Sequence, residues 1–192
     1  LDRKFRILAK YFKVKIVCSL KRTEAPLGNG IGPALEIEDA IKVLKRESSC
    51  HLLEERALQL AGMLLEITGK AARSHGFSLA KEILDSGQAY KKFKEIVKAQ
   101  KGSINHIRKA KLKYLIKAGR NGKIKEIMIK ELNSLGRILG CPLNKFSGIY
   151  LYKHLNQEVR RGEVMLDLYS DSEKELKDGI RFYNKNKPIK IK

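Results

Sequence analysis

The stretch Ala25-Pro26-Leu27-Gly28-Asn29-Gly30-Ile31-Gly32-Pro33-Ala34-Leu35-Glu36 decides the fold, because it separates a short apolar run from a long helical region. Three glycines and two prolines interrupt regular structure between Ala25 and Pro33. Pro33 suits the first turn of a helix, where its missing N–H would have no partner. The stretch therefore predicts an irregular turn that leads into a helix.

Glycine-rich turns of this kind can bind anions, because their backbone N–H groups approach a phosphate at the positive end of a helix. The spacing of Gly28, Gly30 and Gly32 matches neither GxGxxG nor GxxxxGK[ST]. We therefore favour a plain strand-to-helix turn over a phosphate cradle.

Upstream of the turn, apolar residues recur first at helical spacing and then in a short run. Phe5, Leu8 and Phe12 predict a helix over residues 3–12, and the apolar residues of 14–20 predict a strand. This order is typical of an α/β unit.

Downstream of the turn, apolar periodicity indicates four successive helices. Ser78 is a good N-cap for the third of them, and Gly69, Gly87 and Gly102 are typical helix stops. The predicted helices cover about residues 33–46, 52–67, 78–87 and 90–102.

The pattern changes after Gly102, where strands and helices alternate. Asn121-Gly122 predicts a tight hairpin between strands 112–117 and 123–127. Ser170 with Glu173 predicts a capping box for a last helix. The remaining predicted elements are a helix over 129–139 and strands over 148–152, 164–169 and 189–191. We expect an α/β part over residues 1–102 and an α+β part over residues 103–192.

The net charge of +20 is concentrated in one segment. Residues 91–130 carry fourteen basic and two acidic side chains, a net charge of +12. Such a segment can bind nucleic acid through phosphate contacts. Few aromatic residues interleave with the lysines and no helix-turn-helix motif accompanies them, so a solvated face is favoured. No apolar run approaches the roughly 20 residues of a membrane span, and we expect a cytoplasmic protein.

Cysteines and histidines give little sign of a reactive or metal site. Cys18, Cys50 and Cys141 form no CxxC pair and are expected to be small buried hydrophobes. Ser48-Ser49-Cys50-His51 places a thiol beside an imidazole, but adjacency in sequence is not a catalytic geometry. The histidines are expected to be surface or capping residues rather than bases or metal ligands: His51, His75, His106 and His154.

The glycine-rich stretch resembles a conserved segment of the thymidine, pyrimidine-nucleoside and AMP phosphorylases. Gly32-Pro33-Ala34-Leu35-Glu36 is similar to the archaeal form, since bacterial members usually have asparagine at the place of Pro33. Further similar segments follow in the same order as in the family: Leu60–Glu66, Ala80–Gly87, Lys92–Ile96 with Ala99-Gln100, Ser147–Leu151 and Val159–Glu163.

The resemblance implies phosphorolysis of thymidine, another pyrimidine nucleoside or AMP, with inorganic phosphate as co-substrate and without an organic cofactor. It implies that residues 1–102 are the C-terminal part of a phosphoribosyltransferase-like α/β domain. Residues 103–192 would be a small mixed α+β domain of the hammerhead or barrel-sandwich type. The resemblance also implies a homo-oligomer, with a dimer as the expected assembly.

The resemblance also implies where functional groups lie. The family's phosphate- and base-binding residues precede this region, so no catalytic residue is expected in the chain. By position, Leu27, Gly30 and Asp39 correspond to ligands of a structural potassium ion, two through backbone carbonyls and one through a carboxylate.

We therefore expect the C-terminal portion of a pentosyltransferase that is inactive by itself. Leu1 in place of a starting methionine agrees with an upstream half. Two alternatives remain open: a non-catalytic relic that acts as a basic nucleic-acid-binding module, and an assembly role for the helical middle.

Overall fold

The computed structural model describes residues 1–47, 50–104 and 107–192, which form a mixed α/β fold with antiparallel sheets. The helices are α1 (Asp2–Phe12), α2 (Pro33–Leu44), α3 (His51–Ile67), α4 (Gly76–Asp85), α5 (Gln88–Ala99), α6 (Ile129–Ile138) and α7 (Glu173–Asn186). The strands are β1 (Gly30–Ile31), β2 (Leu112–Lys117), β3 (Gly122–Ile127), β4 (Gly148–Leu151), β5 (Glu158–Val159), β6 (Val164–Ser170) and β7 (Ile189–Ile191). Within these ranges every helix is too short or too polar to cross a lipid bilayer.

The strands form two antiparallel sheets. The larger has the order β1-β4-β6-β2, and the smaller has the order β5-β3-β7. In the larger sheet Tyr150 of β4 lies opposite both Gly30 of β1 and Asp167 of β6. This register places the glycine-rich turn at the edge of the sheet.

Two clusters of buried apolar side chains hold the fold together. The larger packs α6 and α7 against the strands, since Leu132 and Leu135 of α6 and Leu139, its C-cap, are fully buried. The smaller lies among α2, α3 and α4 and includes Val43, Cys50, Leu58, Ala80 and Leu84.

The glycine-rich segment contacts the larger cluster, although it precedes residue 102. Ala25 and Ile31 pack against that cluster. Ile31 also pairs with Ile149 across β1 and β4, and the N–H of Ala34 donates to the carbonyl of Lys145 at 3.0 Å. The glycine-rich segment thus contributes β1 to the larger sheet and leads directly into α2, which belongs to the smaller apolar cluster.

The predicted helical middle is confirmed, with α2 to α5 within a few residues of their expected ranges. The start of α4 differs, because the helix begins at Gly76 and Ser78 is not its N-cap. Gly76 allows α4 to lie directly on Gly62 of α3, where a Cβ on Gly76 would be 2.1 Å from the Gly62 carbonyl oxygen. The first residue of α4 therefore packs directly against α3.

The strand predicted over residues 14–20 is wrong: these residues pair with no strand among those described. The reason is that a strand needs a neighbour to bond with, and the described part of residues 1–102 contains only β1, which pairs with β4. The α/β order expected for this part is therefore not seen as a parallel sheet.

The hairpin predicted at Asn121-Gly122 is also wrong, because β2 pairs with β6 whereas β3 pairs with β5 and β7. The side chain of Asn121 accepts the N–H of Arg161 at 2.7 Å, so it bridges to another loop. The strands predicted over 148–152 and 164–169 are confirmed as the neighbours β4 and β6, with β5 lying between them in sequence.

The N-cap of α7 is two residues later than predicted, and the reciprocal bond of a capping box is not seen in the described part of the chain, because the N–H of Ser172 donates to Ser170 Oγ at 3.2 Å. Ser172 is the N-cap, and its Oγ accepts the N–H of Glu175 at 3.3 Å. Ser170 instead ends β6, where its hydroxyl donates to the carbonyl of Leu139 at 2.9 Å. The motif predicts the start of a helix correctly, but β6 continues to Ser170 and the N-cap lies after it.

Candidate functional site

The glycine-rich turn leaves no room for a Cβ at two positions, and at one of them the backbone conformation also favours glycine. A Cβ on Gly30 would lie 2.5 Å from the backbone carbon of Leu35. Gly32 has a φ of 127°, and a Cβ there would lie 2.5 Å from the carbonyl oxygen of Ser147. The glycines therefore permit the turn to pack closely against α2 and the loop before β4.

Asp39, on α2, holds the turn in place. Its side chain is buried, with 1% exposure, and its Oδ2 atom accepts the N–H groups of Asn29 and Gly30, both at 2.7 Å. Its Oδ1 atom is buried and has no hydrogen-bond partner in the described part of the chain. The Oδ2 atom thus holds the backbone of the turn, and the Oδ1 atom can still accept a hydrogen bond or bind a cation.

This arrangement bears on the phosphate-cradle alternative. The N–H groups of Asn29 and Gly30 point to Asp39, so they are not free to bind an anion. The carboxylate beside them would also repel a phosphate. The structure favours the plain strand-to-helix turn.

The three residues expected around a potassium ion border one cleft of about 400 Å³. Leu27 and Gly30 lie on the turn side of the cleft and Asp39 lies on the helix side. Within the described ranges, no group of three or more His, Cys, Asp or Glu side chains could hold a metal ion. Any cation here would need backbone carbonyls as ligands in addition to Asp39.

Asn29 connects the turn to a second residue that the sequence did not reveal, His154. The Asn29 Oδ1 atom lies 2.6 Å from Nε2 of His154, and its Nδ2 donates to the Tyr150 hydroxyl at 3.3 Å. Burial lowers the pKa of His154, which the charge of Asp39 partly opposes. The neutral imidazole donates from Nε2, while its buried Nδ1 has no partner among the described residues.

His154 and the turn border a second cleft of about 540 Å³, which is also lined by His51, Tyr150 and Tyr152. His154 is therefore partly buried at the surface, where it contacts the turn. Sequence gave no signal for its position, because 125 residues separate it from Asn29.

A buried carboxylate, Asp167, lies on β6 near this cleft. It accepts the Tyr152 hydroxyl at 2.6 Å, the Tyr169 hydroxyl at 3.1 Å and the Lys113 ammonium at 2.6 Å. Burial and Asp167 raise the pKa of Tyr152 to about 12, and the hydrogen bond to Asp167 raises the pKa of Lys113. Since the rings of Tyr150 and Tyr152 are 5.0 Å apart, this cluster adjoins the turn.

Of the remaining cysteines and histidines, Cys50 and His51 also line the second cleft. Cys50 is buried in the smaller cluster, as expected, whereas Cys18 and Cys141 are only partly buried. His51 and His75 are exposed, and Ser48, Ser49 and His106 lie outside the described residues.

Comparison with known proteins gives matches along the chain. It is 35% identical to the AMP phosphorylase of Methanococcus aeolicus, over 100% of the chain and 39% of that protein. It is 32% identical to AMP phosphorylase 2 of Archaeoglobus fulgidus, over 96% of the chain and 37% of that protein. It is 40% identical to a Legionella pneumophila protein named "Putative thymidine phosphorylase", over 79% of the chain and 29% of that protein.

No protein-family profile matches the chain. The three relatives are all named as phosphorylases, and they match 79 to 100% of the chain with 32 to 40% identity. The chain spans about two fifths of the length of the AMP phosphorylases that it matches. By its sequence, the chain is therefore homologous to a part of the AMP and thymidine phosphorylases.

Proposed function

We propose that this chain is the C-terminal portion of a pentosyltransferase that cleaves a nucleoside or nucleotide with inorganic phosphate. The match of the whole chain to AMP phosphorylase carries this proposal. In the reaction a phosphate oxygen bonds to the anomeric carbon while the bond from that carbon to the base breaks. The base leaves with the bonding electrons and takes up a proton, and the other product is a sugar 1-phosphate. Phosphate is a co-substrate, and no organic cofactor is needed.

The groups that bind phosphate and base belong, in this proposal, to a part of the longer protein that the chain does not include. Two observations support it. The N–H donors of the glycine-rich turn are taken by Asp39. Asp39 and Glu36 are the ionisable residues of the cleft bordered by Leu27 and Gly30, so among the described residues this cleft offers a phosphate no cationic side chain. The 192 residues alone are then inactive.

The proposal divides the chain near residue 102. Residues 1–102 would complete a phosphoribosyltransferase-like α/β domain, and residues 103–192 would form the small hammerhead or barrel-sandwich domain. The two separate apolar clusters support this division, one drawn from residues 43–89 and the other mainly from residues after 115. The turn would be the connection between them.

The potassium ion of the family would be held by the carbonyls of Leu27 and Gly30 and the carboxylate of Asp39. The residues fit such an ion, because the buried Oδ1 of Asp39 has no partner among the described residues and oxygen atoms suit a hard cation. The ion would supply positive charge to a buried carboxylate and would thereby fix the turn.

The test compares the 192-residue chain with the protein translated from a reading frame extended upstream of Leu1. Each is given AMP, thymidine or uridine with inorganic phosphate, and the released base is measured. We expect turnover only by the longer protein, with AMP preferred, as the archaeal-type Gly32-Pro33 suggests. Turnover by the short chain, or none by a folded longer protein, would contradict the proposal.

The nucleic-acid-binding relic is the competing proposal. Several basic groups of the segment 91–130 are already paired with acids: Lys109 with Glu38 at 3.4 Å, Arg108 with Asp171 at 2.6 Å and Lys113 with Asp167 at 2.6 Å. We therefore expect no binding tighter than micromolar to single-stranded RNA or DNA. Tight binding that weakens steeply with salt would favour the relic instead.

We further propose that the longer protein is a cytoplasmic homodimer. Light scattering on the purified longer protein would give its mass, and a mass of one subunit at micromolar concentration would exclude the dimer.

A further inference from the structure

Two loops, one at Asn121-Gly122 and one at Arg160-Arg161, meet beside the smaller sheet. The Asn121 side chain accepts the N–H of Arg161 at 2.7 Å, so the turn before β3 is bonded to the turn after β5. A Cβ on Gly122 would lie 2.6 Å from the carbonyl oxygen of Lys192, so the end of the chain packs onto the same place. The three segments border a cleft of about 770 Å³. We call it the basic cleft, because it is lined by four basic and two acidic side chains: Lys123, Lys153, Arg160 and Lys192, with Glu158 and Glu163.

Two lysines of the basic cleft lie directly opposite each other. Lys123 of β3 and Lys192, which follows β7, exchange both backbone hydrogen bonds, at 2.7 and 3.0 Å. Side chains at directly opposite positions lie on the same face of a sheet, and like charges there repel. Glu158 of β5 lies opposite Lys123 on the other side and has no ion-pair partner in the described part of the chain. This row of two lysines and one glutamate keeps an excess of positive charge, which a bound anion would neutralise.

The other acid of the cleft, Glu163, is already engaged. Its Oε1 atom lies 2.6 Å from Nζ of Lys153, and its Oε2 atom accepts the N–H of Arg160 at 2.9 Å. These two contacts hold the pKa of Glu163 below its ordinary value. The guanidinium of Arg160 and the ammonium groups of Lys123 and Lys192 have no ion-pair partner among the described residues. These three cations are therefore available to an anion.

The side chains that line the basic cleft indicate what kind of anion fits. Four basic and two acidic side chains leave an excess of two positive charges. The cations come from separate segments of the chain, so the positive charge is spread over the cleft and matches two phosphate groups better than one. The described lining contains no aromatic side chain on which the bases of a nucleic acid could stack. The two carboxylates would also repel a phosphate backbone that continued through the cleft.

We propose that the basic cleft binds a small molecule that carries two phosphate groups, with Lys123, Arg160 and Lys192 as its charged donors. Charge-assisted hydrogen bonds of lysine and arginine to phosphate are about twice as strong as neutral hydrogen bonds. Lys153 keeps its bond to Glu163 and forms a wall of the cleft. The site goes beyond the proposed function, because the basic cleft shares no lining residue with the cleft that borders Asp39.

Isothermal titration calorimetry with inorganic diphosphate tests the site. The 192-residue chain, shown to be folded by far-ultraviolet circular dichroism, is titrated in about 0.1 M NaCl. We expect a Kd below about 1 mM for diphosphate and binding of inorganic phosphate that is weaker by about 10-fold or more, because the smaller anion reaches fewer of the cations. The proposed function places the phosphate site of the reaction outside this chain, so that site does not supply the signal. Absence of binding, or equal binding of the two anions, overturns the inference.

Single substitutions show where the diphosphate binds. Lys123→Gln and Arg160→Gln each remove one charged donor and are expected to weaken the binding about 10-fold. Lys70→Gln is the matched control, because Lys70 is exposed between α3 and α4 and does not line the basic cleft, and this variant keeps the affinity of the parent chain. An equal loss in the control, or no loss in the other two variants, places the anion elsewhere and overturns the inference. Far-ultraviolet circular dichroism that matches the parent chain separates a lost contact from misfolding.

Further ligands distinguish the source of the two phosphate groups. Tighter binding of ADP than of diphosphate assigns the cleft to nucleotides, and tighter binding of fructose 1,6-bisphosphate assigns it to sugar phosphates. Either result supports the site, provided that Lys123→Gln weakens the binding. Single-stranded RNA is the rival ligand. If RNA binds more tightly than diphosphate and Lys123→Gln abolishes that binding, the cleft belongs to a nucleic-acid surface and the inference is overturned.

Discussion

At Asp39, one carboxylate oxygen accepts two backbone N–H groups and the other has no partner among the described residues. Asp39→Asn replaces a charged acceptor by a neutral one and keeps the shape. Because hydrogen bonds to a charged group stabilise more than neutral ones, we expect the free energy of unfolding to fall by about 1–3 kcal/mol. Urea denaturation followed by circular dichroism measures the change.

The control for this variant is Asp178→Asn on α7, where the carboxylate is partly exposed and lies 3.3 Å from Arg181. Surface ion pairs contribute little, so this variant keeps the urea midpoint of the parent chain. Equal effects of the two substitutions would show that the turn does not depend on Asp39.

His154 gives the site a pH dependence whose sign follows from its lowered pKa. Near pH 6 the unfolded chain binds a proton at this imidazole more readily than the folded chain does. The free energy of unfolding therefore decreases as the pH falls through the ordinary pKa of histidine, and the contribution is fully present above it. His154→Gln removes the titrating group but keeps an N–H donor for Asn29, so we expect a flatter profile between pH 7.5 and 5.

The matched control is His75→Gln, since His75 is exposed and its contact is with the carbonyl of Arg73. This variant retains the slope of the parent chain in urea denaturation across the same pH range. A slope that is unchanged in His154→Gln would mean that the buried imidazole does not govern acid stability.

At the scale of elements, the contact between α3 and α4 depends on the absence of side chains at Gly62 and Gly76. A Cβ on Gly76 would meet the Gly62 carbonyl oxygen at 2.1 Å. Alanine normally favours a helix over glycine by about 1 kcal/mol, but overpacking costs up to about 3 kcal/mol and wins here. Gly76→Ala is therefore expected to lower the thermal midpoint. Gly119→Ala, where a Cβ meets no atom within 4 Å, leaves the midpoint unchanged.

The helices could be predicted from the sequence because their signals are local. Leu132, Leu135 and Leu139 repeat every three to four residues, and all three are fully buried. Strand partners could not be predicted in the same way. Asn121-Gly122 is a strong local hairpin signal, yet β2 pairs with β6, some 50 residues away, because pairing is decided by the packing of the whole sheet.

The same distinction applies to the candidate site. Leu27, Gly30 and Asp39 were identified through the family resemblance and lie around one cleft. His154 and Asp167 were not, because contacts such as the one between Lys113 and Asp167 join residues far apart in sequence. Neither the sequence around Lys113 nor the sequence around Asp167 contains a pattern that indicates this contact.

For the whole molecule, the net charge of +20 is a destabilising term that salt should reduce. Like charges repel in the compact state, and added ions screen them. We expect the midpoint of thermal unfolding to rise when NaCl is increased from about 0.05 M to about 0.5 M. A midpoint that stays constant or falls would mean that ion pairs such as Lys153 with Glu163, 2.6 Å apart, outweigh the repulsion.

The two-residue strand β1 has a practical consequence for anyone who builds hybrid proteins from this chain and its relatives. Because Ile31 pairs with Ile149 and Ala34 bonds to Lys145, the segment that precedes α2 completes the C-terminal sheet. A hybrid joined near residue 102 would combine β1 from one protein with β4 from another. A junction placed before Ala25 would keep β1 and β4 from the same protein.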